Sequence, residues 1–208
     1  MTPNQRTDIS EAKAALRASI RAGRKQLLQT NPDERQARDK RIQDHLLAAL
    51  EDAVPPGSTI TAFVPMPGEP GGANLPTSLR DAGYQVILPF VVPNPDPTIR
   101  ELEWRSYAGT ESLVANSMGI LEPTGPSVGE LADAADLIVL PALAIGSDGV
   151  RLGQGGGYYD RQLQRAHSRI KDVWAILDSS EVHRNVPAES HDLSVSAAIT
   201  AEGFVAFG

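Results

Sequence analysis

The sequence predicts an α/β fold: a layered, mainly parallel sheet flanked by helices, with two N-terminal helices ahead of it. Two patterns predict this. Two long amphipathic stretches fill roughly the first fifty residues, and beyond them short aliphatic or β-branched runs alternate with brief helical patterns across Gly- and Pro-rich turns. With 41% hydrophobic and 22% charged residues, the composition lies near the globular average and supports a folded chain despite 18 Gly and 16 Pro. A length of 208 residues predicts a single domain over 1–208.

The first helix is expected over 9–28, with Asp8 as N-cap and Glu11 completing a variant capping box. Ile9, Leu16, Ile20 and Leu27 form one core-facing stripe at helical spacing, and Lys13, Arg17, Arg21 and Arg24 form a cationic arc beside it. Asn31 caps a second helix in which Pro32 takes the first position and Asp33 and Glu34 meet the positive dipole end. That helix should stop near Asp52, before Pro55-Pro56-Gly57. Residues 59–64, 85–90, 136–140 and 173–177 read as strands covered on both faces. Helices are expected at 75–82, 157–168 and 127–134. Residues 101–107 suit an edge strand, 197–207 late strands, and 91–98 a loop.

Charge and composition exclude several classes. The formal charge of −7 disfavours nucleic acid and anionic membrane as partners. The charge is also uneven, at +4 over residues 1–50 and −11 over the rest. No cysteine is present, which removes disulfides, thiolate chemistry and cysteine zinc sites. No apolar run reaches the ~18 residues of a membrane span, and the first twenty residues lack a secretory h-region, so a cytoplasmic location is the expectation. His45 and His167 fall on expected helix surfaces. His183 and His191 sit in a C-terminal loop without metal-ligand spacing.

The densest chemical signal is Arg151-Leu152-Gly153-Gln154-Gly155-Gly156-Gly157-Tyr158-Tyr159-Asp160-Arg161, which follows a buried strand and opens a helix. Glycines let consecutive N–H groups wrap an anion, the helix dipole adds favourable potential, and Arg151 offers a fork of donors. The loop is neither a P-loop nor GxGxxG, because no Gly-Lys-Ser/Thr follows and Tyr158 stands where the last glycine belongs.

This segment resembles the 5-formyltetrahydrofolate cyclo-ligase (5,10-methenyltetrahydrofolate synthetase) family. KAALR at 13–17, PMPGE at 65–69, LPF at 88–90, GILEP at 119–123, LPALAIGSDG at 140–149 and VPAESHDLSV at 186–195 match in the same order. The resemblance implies ATP-dependent conversion of 5-formyltetrahydrofolate to 5,10-methenyltetrahydrofolate, with Mg²⁺ as cofactor and ADP and phosphate released. Phosphoryl transfer asks a protein mainly for positioning and charge, which suits a chain without a cysteine nucleophile, a GxSxG elbow or HExxH.

By the same resemblance, Lys13 and Arg17 contact ATP, and Arg151, Leu152, Gly153, Gln154, Gly155, Gly156, Gly157, Tyr158 and Tyr159 hold its phosphates, with Lys13 and Arg151 catalytic. Val64, Met66, Glu69, Met118 and Tyr159 bind the folate, with Glu69 accepting from pterin N–H donors. Asp160 and Asp192 are the implied Mg²⁺ ligands. On residue pattern alone Val64 suits the core better than a ligand wall, and the tyrosines could simply anchor a helix. As surface charges, Lys13 and Arg151 should contribute little to folding.

Four positions depart from the family pattern. Pro70-Gly71-Gly72 follows Glu69, Gln154 stands where Arg or Lys is frequent, Met118 where an aromatic is common, and Ser196 where an acid is frequent. The altered loop after Glu69 motivates one competing reading, a paralogue with a changed substrate; a folate-binding protein with little turnover is the other.

Overall fold

The computed structural model describes all residues except 1–2, 30, 97, 167–168, 171, 184 and 190–191, and the side chains of 3–7 are also left undescribed. Helix α1 runs from Pro3 to Leu27, so it begins before the expected cap and Asp8 lies inside it. Pro3 is tolerated in a first turn because its missing N–H would be unpaired there. Arg24 and Lys25 meet the negative end of the dipole. Helix α2 (Pro32–Ala53) starts as expected, with Asn31 Oδ1 accepting from the Asp33 amide at 2.9 Å.

The strands follow: β1 (Thr59–Thr61), β2 (Gln85–Val91) and β3 (Leu102–Ser106) form one sheet, with β1 parallel and β3 antiparallel to β2. Helix α3 (Leu75–Asp81) connects the first two. Two short hairpins come next in the chain, β4 (Leu113–Ala115) with β5 (Leu121–Pro123), and, after α4 (Leu131–Ala134) and β6 (Ile138–Pro141), β7 (Ala144–Ile145) with β8 (Arg151–Leu152). Helix α5 (Tyr158–Ala166), β9 (Val173–Ile176), β10 (Ala197–Thr200) and β11 (Gly203–Ala206) complete the described elements. The second sheet has the order β11-β10-β9-β6, parallel except at β11.

The two sheets abut at β1 and β6 through one parallel bridge, Ile60 to Leu137. Thr61 makes the seam. Its hydroxyl donates to Val139 O at 2.8 Å and accepts from Val139 N at 2.9 Å, extending the backbone bonds from Thr61 N to Leu137 O and from Asp136 N to Thr59 O. Strand order reverses at this seam, and crevices at such switch points are where open α/β sheets place ligands.

Strand side chains divide by period two. Val86, Leu88, Leu137, Val139, Trp174 and Ile176 pack with Ile42, Leu46 and Leu50 of α2 and Leu75 and Leu79 of α3. Ile87, Ile138, Leu140, Val173 and Ala175 face Leu131 of α4 and Leu163 of α5. Helix α1 stands apart from both layers, with Ile20 packed on Leu143, Ala144 and Leu152 of the β7–β8 hairpin.

Two expectations change in extent. The strand expected over 59–64 ends at Thr61: Ala62 still donates to Ile87 O at 2.9 Å, and Phe63, Val64 and Met66 then line a cavity. The helix expected over 127–134 shrinks to α4, because Gly129 takes φ +82° and Glu130 is extended. The last two residues of the expected 157–168 helix, including His167, lie outside the described residues, as does His191. His45 is not a plain surface residue: its Nδ1 is 2.9 Å from Thr200 O at the end of β10.

Candidate active site

The carboxyl ends of β1, β2 and β6 open onto a cavity of about 500 Å³. Phe63 and Val64 follow β1, Val91 ends β2 and Pro141 ends β6, and Leu102, Met118 and Ile120 extend the apolar lining. Residues 153–157 with Tyr158, Tyr159 and Asp160 complete it. Met118 stands at the tip of the β4–β5 hairpin, 62% exposed. Asn116 Oδ1 holds that tip by accepting from the amides of Met118 and Ile120 at 2.9 and 3.1 Å.

The glycine loop is pinned by its carbonyls. Arg17 Nε donates to Gly153 O (2.9 Å), Arg21 Nη2 to Gln154 O (2.8 Å) and Arg100 Nη1 to Gly156 O (3.0 Å). Among the described residues, none of the amides of 153–157 donates to a protein group. A loop whose carbonyls are occupied by cations and whose amides are free is arranged for an anion. Gly155 (φ +91°) and Gly157 (φ +69°) need the left-handed region, and a Cβ on Gly155 would lie 3.3 Å from the Arg17 guanidinium carbon.

Arg151 is buried, with its side chain 4% exposed. It donates to Pro141 O at 3.2 Å and to Asp160, while its Nε has no partner among the described residues. A buried, unpaired guanidinium N–H is costly, about 1–3 kcal/mol, unless a ligand takes it. Tyr159 packs edge-on to Trp104 at 6.2 Å and also lines the cavity, so it anchors α5 and faces the cavity at once. Desolvation, opposed by Arg151 and reinforced by Glu69, pushes its phenol well above the ordinary value.

Glu69 stands across from the loop. Its Oε2 accepts from the Met66 amide at 3.0 Å and its Oε1 from Gln154 Nε2 at 3.1 Å. Gln154 Oε1 in turn accepts from Arg21, so the positive charge absent at position 154 reaches the loop from α1. The unusual Pro70-Gly71-Gly72 also acquires a cause. Gly71 (φ +109°) and Gly72 (φ +75°) turn the chain onto α2, where Gln43 Nε2 donates to Gly71 O at 2.7 Å and Gly71 N donates to Asp39 at 3.2 Å. Ser196 is remote from the cavity and bonds to Val173 at the start of the β9–β10 ladder.

Four of the expected site residues do not line the cavity. Leu152 is core, packed on Ile20. Arg17 acts through the Gly153 carbonyl, and its guanidinium, held below its ordinary pKa by burial and by Arg21, is pulled back up by Asp160 and Asp192. Lys13 is buried, donating to both Asp192 oxygens at 2.8 and 2.6 Å and to Glu189 at 3.1 Å. The expectation that Lys13 and Arg151 are exposed charges with little bearing on folding is therefore corrected, because both side chains are buried and each neutralises a carboxylate. Sequence reasoning missed Phe63, Val91, Arg100, Leu102, Ile120 and Pro141. Ile120 and Pro141 fall within the matched segments GILEP and LPALAIGSDG without standing out there, and no motif marks Phe63, Val91, Arg100 or Leu102, which the ends of β1 and β2 and the start of β3 bring to the cavity.

Asp160 offers a carboxylate 45% exposed at the cavity edge, which fits a Mg²⁺ completed by phosphate and water. Asp192 has both oxygens on Lys13 and also accepts from the Glu189 amide. Among the described residues, no group of three or more carboxylates or imidazoles converges.

Comparison with known proteins gives this site its class. The sequence profile of the 5-formyltetrahydrofolate cyclo-ligase family matches residues 9–201. The chain is 37% identical to the 5-formyltetrahydrofolate cyclo-ligase of Mycolicibacterium smegmatis over 146 residues, covering 69% of this chain and 74% of that one. The Escherichia coli K12 5-formyltetrahydrofolate cyclo-ligase is 31% identical over 144 residues, covering 68% and 77%. The fold is that of the Aquifex aeolicus 5,10-methenyltetrahydrofolate synthetase, with a TM-score of 0.72, 24% identity and coverage of 93% and 92%. The Mycoplasma pneumoniae 5,10-methenyltetrahydrofolate synthetase superposes with a TM-score of 0.69 at 21% identity, covering 91% and 98%. The chain belongs to the 5-formyltetrahydrofolate cyclo-ligase family and has that family's ligase activity.

Proposed function

We propose that the cyclo-ligase reaction proceeds in the cavity between Glu69 and the glycine loop, with ATP supplying the phosphoryl group that activates the formyl oxygen. The observation that carries this reading is the pairing of free amides at 153–157 with a carboxylate, Glu69, on one cavity wall. One end suits phosphates and the other suits the N–H donors of a pterin ring.

The chemistry needs both ends at once. The N5-formyl oxygen is a poor leaving group. Its attack on the γ-phosphorus breaks the bond to the β,γ-bridging oxygen, releases ADP and leaves a formyl phosphate ester with iminium character at carbon. N10 then adds to that carbon, its proton leaves, and the carbon–oxygen bond breaks to release phosphate and the methenyl cation. The loop amides and Arg151 would hold the transferred group, and Arg151 Nε is the donor with no protein partner among the described residues. Lys13 would reach the phosphate chain from its Asp192 tether. Met66, Val64 and Met118 would enclose the apolar parts of the folate, and Tyr159 would present a ring face. Mg²⁺, when bound, would neutralise phosphate charge, and Asp160 is the residue that would hold it.

Mixing the pure chain with 5-formyltetrahydrofolate, Mg²⁺ and ATP should produce methenyl absorbance and ADP in equal amounts. Folate binding with no ATP-dependent absorbance would favour the folate-binding reading instead.

A further inference from the structure

From its packing we infer that Arg24 is a positioning residue for Glu69, held at a set distance from it by Glu181. The inference rests on the reading that Glu69 binds the folate. Arg24 lies on α1 in the same cationic arc as Lys13 and Arg17, yet it does not touch the glycine loop. It is buried beneath the cavity wall between two carboxylates.

The two carboxylates are treated unequally. Glu181 takes Arg24 in a two-pronged grip, Nε to Oε1 at 2.9 Å and Nη2 to Oε2 at 2.8 Å, while Nη2 also donates to Ala142 O at 2.7 Å. Glu181 is itself fixed, because its Oε2 accepts from the Asp178 amide at 2.9 Å in a capping box around the 3-10 turn Ser179–Glu181. The remaining guanidinium nitrogen, Nη1, stops 3.9 Å from Glu69 Oε1, beyond hydrogen-bond reach but well within Coulombic range. Glu69 is aimed by the Met66 amide and Gln154, and faces a cation that cannot close on it.

That stand-off has a physical use. A carboxylate in full contact with Arg24 would have its oxygens occupied and would exchange a charge-assisted bond for each bond offered by folate. A carboxylate with no cation nearby would be harder to keep in a half-buried wall. At 3.9 Å the cation compensates charge without taking up Oε1, which accepts from Gln154 alone at 3.1 Å and keeps a lone pair for a ligand N–H. The residues involved come from α1, the loop after β1 and the turn after β9, which explains why no contiguous motif announces the arrangement.

The test is titration of the full-length chain with 5-formyltetrahydrofolate and, separately, with ATP. Arg24→Met removes the cation. Glu181→Gln keeps the shape and the Asp178 contact but releases Arg24 to close on Glu69. Each should weaken folate binding about tenfold and leave ATP binding within about twofold, as loss of one charged contact would. Neither should weaken folate further in a Glu69→Gln background, since a positioning residue acts only through the group it positions. A merely structural role would not give that coupling. Losses that add in the double variants, or equal weakening of folate and ATP, would overturn the inference. If Arg24→Met does not fold, Glu181→Gln and Arg24→Lys carry the same test, with Lys restoring part of the affinity lost in Glu181→Gln because it cannot make the same close fork. Unchanged folate affinity in Glu69→Gln would overturn the reading of Glu69 itself, whereas a Glu69 effect with no Glu181 effect would overturn only the role of Arg24.

Discussion

Lys13 and Arg151 are ATP candidates, and each is also half of an ion pair that the fold depends on. Lys13→Ala removes the ammonium that Asp192 and Glu189 share, so it should lower stability by about 1–3 kcal/mol in the absence of ligand, measured by thermal unfolding. Lys13→Arg should recover stability better than ATP affinity, because a guanidinium fork can still take both Asp192 oxygens but is wider than the ammonium that would meet the phosphate chain. Gly155→Ala forces a Cβ into a left-handed position 3.3 Å from Arg17 and should weaken ATP at least tenfold with folate binding nearly intact. Gly156 differs, because its backbone does not need positive φ. A Cβ there meets the Tyr158 ring at 2.9 Å, so Gly156→Val acts by collision with a side chain and not by backbone strain. Individual residues were the most legible level of the site, since the Gly-rich segment and Glu69 stand in contiguous motifs. Their partners were not. Whether Lys13 is free or salt-bridged depends on Asp192, 179 positions away, and helical spacing cannot express that.

At the level of elements, α1 is a helix with little share in the main core that carries Lys13, Arg17, Arg21 and Arg24 to the site. Its apolar attachment is Ile20, with Leu16, against the β7–β8 hairpin. Ile20→Ala should cost about 2–4 kcal/mol and weaken both ligands together, checked by denaturant unfolding and the two titrations. Strands with continuous apolar runs were read closely, and α2 kept both its cap and its end, because local chemistry sets those limits. The β4–β5 and β7–β8 hairpins were not expected. Their strands are two or three residues long and are held by turn geometry, Asn116 in one case and Gly149 (φ +77°) in the other, which leaves no periodic signal. Tyr159, at the start of α5, carries a pH consequence. Its phenol is neutral well above the ordinary value in the folded chain and ionises at about 10 once unfolded, so stability should fall as pH rises past that point. Tyr159→Phe should reduce this alkaline loss in unfolding measured across pH.

Across the whole molecule, site and sheet share one cause. Strand order reverses at the β1–β6 seam, Thr61 holds that seam with its own hydroxyl, and the carboxyl ends there open the cavity. The fold class was legible in alternating strand and helix patterns, but the reversal was not, because it depends on which buried strands lie side by side. No helix among the described residues is long and apolar enough to cross a membrane. The charge asymmetry has a structural reason, since three α1 arginines face the glycine loop or Glu69. If folate and ATP meet in this cavity, the formyl oxygen takes the γ-phosphoryl group. 5-Formyltetrahydrofolate with heavy oxygen in the formyl group, followed by mass analysis of the released inorganic phosphate, tests this. One heavy oxygen should appear in phosphate for each methenyl product formed. Heavy oxygen recovered in water, with unlabelled phosphate, would contradict it.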